Sequence, residues 1–119
     1  MKKILLIEDN KEQVEAYSEE MRRAGFGVSV VSDGLKVMSA IEEVKPDLIV
    51  MDVMLPNIDG WEVLGDIKKI SDAIKVIVVS ELSQDHDVFR SLELGASKYL
   101  IREHYSPSEI VEEIKKILK

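Results

Sequence analysis

The chain has 119 residues, 45% of them hydrophobic, and its 16 basic against 23 acidic side chains give a net charge of -7. That length suits one compact domain, and the negative charge argues against a nucleic-acid module or a partner of anionic membranes, leaving proteins or cations as the favoured partners. The absence of cysteine excludes disulfides, thiolate chemistry and sulfur-ligated metals, and it suits a reducing cytoplasm.

Taken in order, Ile4 to Ile7 is an apolar run far too short for a signal peptide or a membrane span, so it predicts a first strand, ending in Glu8-Asp9-Asn10. A helix follows from about Lys11, with Val14, Tyr17, Met21 and Ala24 at helical spacing and Gly25 and Gly27 closing it. Val28 to Val31 predicts a second strand. Asp33-Gly34 opens a second helix with Val37, Met38, Ile41 and Val44 as its apolar stripe, stopped at Lys45-Pro46.

The third strand, Leu48 to Asp52, is apolar without alternation until its last residue, the pattern of a strand covered on both faces. Asp59, with Glu62 three residues on, is a weak capping-box start for a third helix bearing Leu64, Ile67 and Ile70. Val76 to Val79 predicts a fourth strand ending at Ser80. A fourth helix with Val88 and Leu92 inward ends at Gly95. Tyr99 to Ile101 predicts a short fifth strand. Ser106-Pro107-Ser108-Glu109 is a strong helix start, followed by the cleanest stripe in the chain: Ile110, Val111, Ile114, Ile117 and Leu118.

Five β-α repeats with short connections predict an α/β fold: a single three-layer (βα)5 flavodoxin-like domain over residues 1–119, with no output domain in this chain. Its five-stranded parallel sheet has order 2-1-3-4-5 and helices on both faces. Strands 1 and 3 are then neighbours, so Glu8 and Asp9 face Asp52 across the crevice at the carboxyl ends of the strands. Three carboxylates in one crevice must take up protons or hold a cation. Oxygen ligands select Mg²⁺, with Mn²⁺ or Ca²⁺ possible, over zinc or copper. A carboxylate nucleophile beside such an ion can accept a phosphoryl group as an aspartyl phosphate. Ser80 and Arg102, at the ends of strands 4 and 5, are placed to receive the new oxygens as a hydroxyl and a fixed cation.

The acidic pair Glu8-Asp9, Asp52 followed by Pro56-x-x-Asp59-Gly60, Ser80, Gly95-Ala96 and Tyr99 together resemble the receiver domains of two-component response regulators, the CheY-like members above all, over essentially the whole chain. The resemblance implies a phosphorylation-dependent switch rather than an enzyme in the usual sense. Asp52 would take a phosphoryl group from a sensor histidine kinase, a phosphotransfer protein or a small donor. Asp9, with Glu8 partly through water, would hold Mg²⁺ together with Asp52 and the backbone carbonyl of Met54. Ser80 would turn toward the phosphate and Tyr99 would follow it, reshaping the face of the fourth helix, fifth strand and fifth helix for a downstream protein target. The protein would be cytoplasmic, a monomer or weak homodimer, with no direct contact to nucleic acid or membrane.

Two positions depart from the family's pattern. Arg102-Glu103 stands where the family has a lysine, usually followed by a cis proline, and the planar guanidinium is no point cation. Glu81 stands where a small residue is usual, so an expected Arg102–Glu81 pair would make the arginine less available to phosphate. These two departures motivate the competing reading, a degenerate receiver kept as a protein-interaction module. A flavodoxin-type electron carrier lacks its phosphate loop here. A haloacid-dehalogenase-type phosphatase lacks its second aspartate, Met54 standing in that place.

Overall fold

In a computed structural model describing residues 1–119, the unalternated apolar runs form the centre of a parallel sheet. β1 (Lys3–Ile7), β2 (Gly27–Val31), β3 (Leu48–Met51), β6 (Lys75–Ser80) and β7 (Lys98–Ile101) lie in the order β2-β1-β3-β6-β7. A two-stranded antiparallel hairpin, β4 (Met54–Leu55) and β5 (Ile58–Asp59), stands apart from the sheet. With the hairpin set aside, this is the expected flavodoxin-like order 2-1-3-4-5. The helices are α1 (Lys11–Arg23), α2 (Val37–Val44), α3 (Gly60–Ile70), α4 (Asp85–Glu93) and α5 (Pro107–Leu118).

Alternation along each strand divides the core in two. Leu5, Ile7, Ile49, Met51, Val76 and Val78 pack with Val37, Ile41, Leu64 and Ile67 from α2 and α3. Ile4, Leu6, Leu48, Val50, Ile77, Val79 and Leu100 pack on the other face with Tyr17 and Met21 of α1 and Ile110, Val111 and Ile114 of α5. Each of these aliphatic side chains contributes about 1.5–3 kcal/mol by leaving water.

The chain ends its helices as its polar residues direct. Asn10 accepts from Gln13 N at 3.0 Å to cap α1. Ser106 and Glu109 form a reciprocal capping box at α5, with Pro107 in the first turn. Asp33 caps a single 3-10 turn, Gly34–Lys36, before α2 begins. Lys45 leaves α2 in the left-handed region, and Pro46 follows. Asp59 caps α3 through Trp61 N at 2.9 Å.

Helix α4 corrects the expected pattern. Leu92 is not inward but exposed, and the buried residues are Asp87 and Ser91. Asp87 accepts from Gln84 N at the start of the helix. The Ser91 hydroxyl donates to the Asp87 carbonyl and accepts from the Trp61 indole at 3.0 Å. The inward face of α4 is therefore satisfied by hydrogen bonds within the helix and one from Trp61 of α3, which apolar spacing could not reveal.

Candidate functional site

The register of the sheet assembles the site. Ile7 pairs with Met51 across β1 and β3, so the next residues, Glu8 and Asp52, come side by side at the carboxyl edge. Both are buried, at 2% and 5% exposure. Ser80 pairs with Ile101 across β6 and β7, which brings Arg102 to the same edge. Alternation then sorts these groups. Arg102 falls two residues past Leu100, on the α1 side with Glu8 and Asp52. Tyr99 packs on the opposite layer.

Arg102 is the centre of the cluster. Its Nη2 donates to Glu8 Oε1 at 2.5 Å and to Asp52 Oδ2 at 3.1 Å, with the Val79 carbonyl oxygen at 3.4 Å. The expected Arg102–Glu81 pair is not formed: Glu81 is exposed, and the two buried carboxylates outcompete a solvated one for the guanidinium. Glu81, Arg102 and Glu103 instead line a small cavity of about 290 Å³ at the mouth of the site. The largest surface cavity, about 820 Å³, lies elsewhere, between α3 and α4.

The geometry of Arg102 is unlike that of an arginine in a fork-to-fork pair. One terminal nitrogen serves three oxygens, while the buried Nε has no acceptor. A buried donor left unpaired costs about 1–3 kcal/mol. Beneath it lies Tyr17 of α1, almost fully buried, its ring centroid 5.9 Å from the guanidinium carbon, within cation–π range. Tyr17 was expected only as a member of the α1 stripe; alternation past Leu100, which points Arg102 toward α1, was the signal available.

The remaining oxygen of Asp52, Oδ1, accepts from Met54 N at 2.9 Å. Burial pushes the Asp52 carboxyl up, opposed by the Met54 amide, Arg102 and the Ser80 hydroxyl. Burial likewise raises Glu8; Arg102 and the Asn10 amide oppose this, and Asp52 and Asp9 reinforce it. For Arg102, burial lowers the pKa, but Glu8, Tyr17 and Asp52 together hold it above the ordinary value.

Ser80 and Tyr99 grip one residue from two sides. Leu82 N donates to the Ser80 hydroxyl at 3.2 Å, and the Tyr99 hydroxyl donates to the Leu82 carbonyl at 2.7 Å. Asp9 is exposed at the rim. No three Asp, Glu or His side chains stand close enough to hold a metal. Oxygens of Glu8, Asp52 and Val79 are instead taken up by the Arg102 guanidinium.

A response regulator receiver domain model matches residues 4–115, and the chain belongs to that family. Among its relatives is the alkaline phosphatase synthesis transcriptional regulatory protein PhoP of Bacillus subtilis, 35% identical over 118 residues, covering 99% of this chain and 49% of that protein. The chain spans about half the length of the curated relatives it matches. A CheY-like receiver domain protein from Methanospirillum hungatei superposes with a TM-score of 0.93 at 24% identity, over 99% of this chain and 94% of that one, and shows the fold. The Mn²⁺-bound form of the response regulator Rcp1 superposes with a TM-score of 0.84 at 30% identity, over 99% of this chain and 94% of that one. Receiver domains are phosphorylation-dependent signalling switches that work with histidine kinases and downstream effectors and bind a divalent metal. No helix is long and apolar enough to cross a membrane.

Proposed function

We propose that residues 1–119 act as one receiver domain in which Asp52 is the phosphoryl acceptor. The observation that carries this reading is the setting of Asp52: a buried carboxylate just past the carboxyl end of β3, with Oδ1 fixed by the Met54 amide and Oδ2 against Arg102. An oxygen of Asp52 attacks phosphorus as the bond to the donor breaks. The donor is the phosphohistidine of a sensor kinase or phosphotransfer protein, or a small acyl phosphate, and the leaving group departs with the electron pair. Arg102 and the Ser80 hydroxyl receive the phosphoryl oxygens. Of the divalent ions, Mg²⁺ best suits the oxygen donors of Asp9, Asp52, Glu8 and the Met54 carbonyl; when bound it offsets the charge between donor and acceptor.

Movement of Ser80 toward the phosphate would pull on Leu82, and Leu82 is hydrogen-bonded to the Tyr99 hydroxyl. That chain of two bonds carries the event from Asp52 to the face of α4, β7 and α5, where a downstream protein reads it. The test is incubation with acetyl phosphate and Mg²⁺ followed by intact mass. We expect a gain of one phosphoryl group that disappears in Asp52→Asn. A second reading, a receiver kept as an interaction module without phosphate cycling, is favoured by the anionic mouth that Glu81 and Glu103 make beside Arg102. Absence of any adduct from acetyl phosphate and from histidine kinases would decide for it.

A further inference from the structure

Helices α3 and α4 leave a cavity of about 820 Å³ between them. Trp61 and Gly65 line it from α3, Arg90 and Leu94 from α4, each pair spaced to share one helix face. Gly65 is the odd member. Glycine is, after proline, the costliest residue inside a helix, and nothing local demands it here. The glycines with positive φ are Gly25 and Gly95, and a Cβ on Gly65 would meet only Leu94 Cδ2, at an ordinary 3.8 Å. What the missing side chain supplies is room, leaving the α3 backbone open to the cavity for close approach by another chain. Phe89 of α4, which also lines the cavity, is 65% exposed. The charges are uneven as well. Arg90 is engaged within the chain, stacked over the Trp61 ring at 4.4 Å and 3.8 Å from Asp59, and His86 lies 3.3 Å from Asp87. Glu62, Asp66 and Glu93 are left against Lys69, and none of these four enters an ion pair.

We propose that the cavity between α3 and α4 is a docking groove for a basic amphipathic helix of a partner protein. The apolar side chains of that helix lie over Gly65, against Phe89 and Leu94, and its lysines or arginines meet Glu62, Asp66 and Glu93. A gap between two helices with an apolar lining is the shape that receives a third helix, and a polar rim around an apolar centre is the usual make-up of a protein interface. The excess of carboxylates chooses among occupants. It disfavours an acidic segment, and it disfavours a second copy of this chain, whose net charge is -7. The groove lies on the α3 side of α4, apart from the face of α4, β7 and α5 through which Asp52 is proposed to act, so the inference stands or falls without that reading.

The probes are three synthetic helical peptides without tryptophan: one with leucines at helical spacing among lysines, one with the same leucines among glutamates, and one with the same lysines but glutamine for leucine. Each is titrated into the whole chain at about 0.15 M salt, where general charge attraction is screened. Binding is followed by the emission of Trp61, the single tryptophan, and by backbone amide shifts. Only the lysine–leucine peptide should bind, moving the amides around Gly65 and Leu94. Gly65→Leu, which fills the groove, should weaken it about tenfold or more. Asp66→Lys should weaken it about threefold, whereas Glu112→Lys on α5, an equal change of net charge, should leave it unaltered. Gly65→Ala separates binding from folding, since it should raise the urea midpoint while weakening the peptide. No binding of the lysine–leucine peptide overturns the proposal, as does equal binding of either other peptide, equal loss in Asp66→Lys and Glu112→Lys, or shifts that centre elsewhere. Sedimentation equilibrium covers the remaining occupant: a dimer of the parent that Gly65→Leu dissociates gives the groove to a second copy and overturns it too.

Discussion

Gly60 shows how closely the chain is folded behind Asp52. A Cβ there would lie 2.2 Å from the Val53 carbonyl oxygen and 2.4 Å from its Cα, and backbone cannot step aside as a flexible side chain can. We expect Gly60→Ala to cost about 1–3 kcal/mol and to shift the Val53–Met54 peptide that fixes Asp52 Oδ1; urea unfolding gives the first, and the chemical shift of the Met54 amide the second. Pro56-x-x-Asp59-Gly60 was legible as a pattern, but the reason for its glycine is a steric contact that no spacing displays. Arg102 teaches a related lesson. Its position at the strand edge follows from β-α counting, yet its expected partner, Glu81, is exposed to solvent. Side-chain alternation past Leu100 decides otherwise, sending Arg102 to Glu8, Asp52 and Tyr17.

Among the elements, α5 was the most readable because every level of the sequence agreed: cap, proline, capping box and apolar stripe. Helix α4 was the least, since its inward face is polar and depends on the Trp61 indole thirty positions away in the chain. The β4–β5 hairpin leaves no periodic signal, its two-residue strands being too short for one. Charge at α5 gives a prediction with a definite sign. Glu113 is ion-paired with Lys98 of β7 and with Lys116 at 2.9 Å, and hydrogen bonds from Lys98 and then Lys116 hold its carboxyl below the ordinary 4.5. A depressed carboxyl adds stability that is present above the unfolded value and lost as pH falls through the folded one. Glu113→Gln should therefore cost up to about 1 kcal/mol at neutral pH, with the gap to the parent closing as pH drops below 4.5, as followed by urea midpoints across that range.

For the whole molecule, strict β-α alternation leaves few topologies open, and the strand order it implies already places Glu8 beside Asp52. The sheet that results is a partition. Leu64 is fully buried among the residues packed with α2 and α3, Ile110 fully buried among those packed with α1 and α5, and they sit in separate core clusters. Leu64→Ala and Ile110→Ala should each cost about 2–5 kcal/mol, and the double variant should lose the sum to within about 0.5 kcal/mol, because separated sites that share no partners add. Strands β1, β3 and β6 nonetheless contribute side chains to both layers, so neither layer can melt and leave the other's wall standing. The single tryptophan, Trp61, packs on the α3 layer and reports it alone, while far-ultraviolet circular dichroism reports both. The two urea midpoints should coincide in the parent and in either variant; a fluorescence transition that precedes the circular dichroism transition in Leu64→Ala would mean that the layers unfold as separate units.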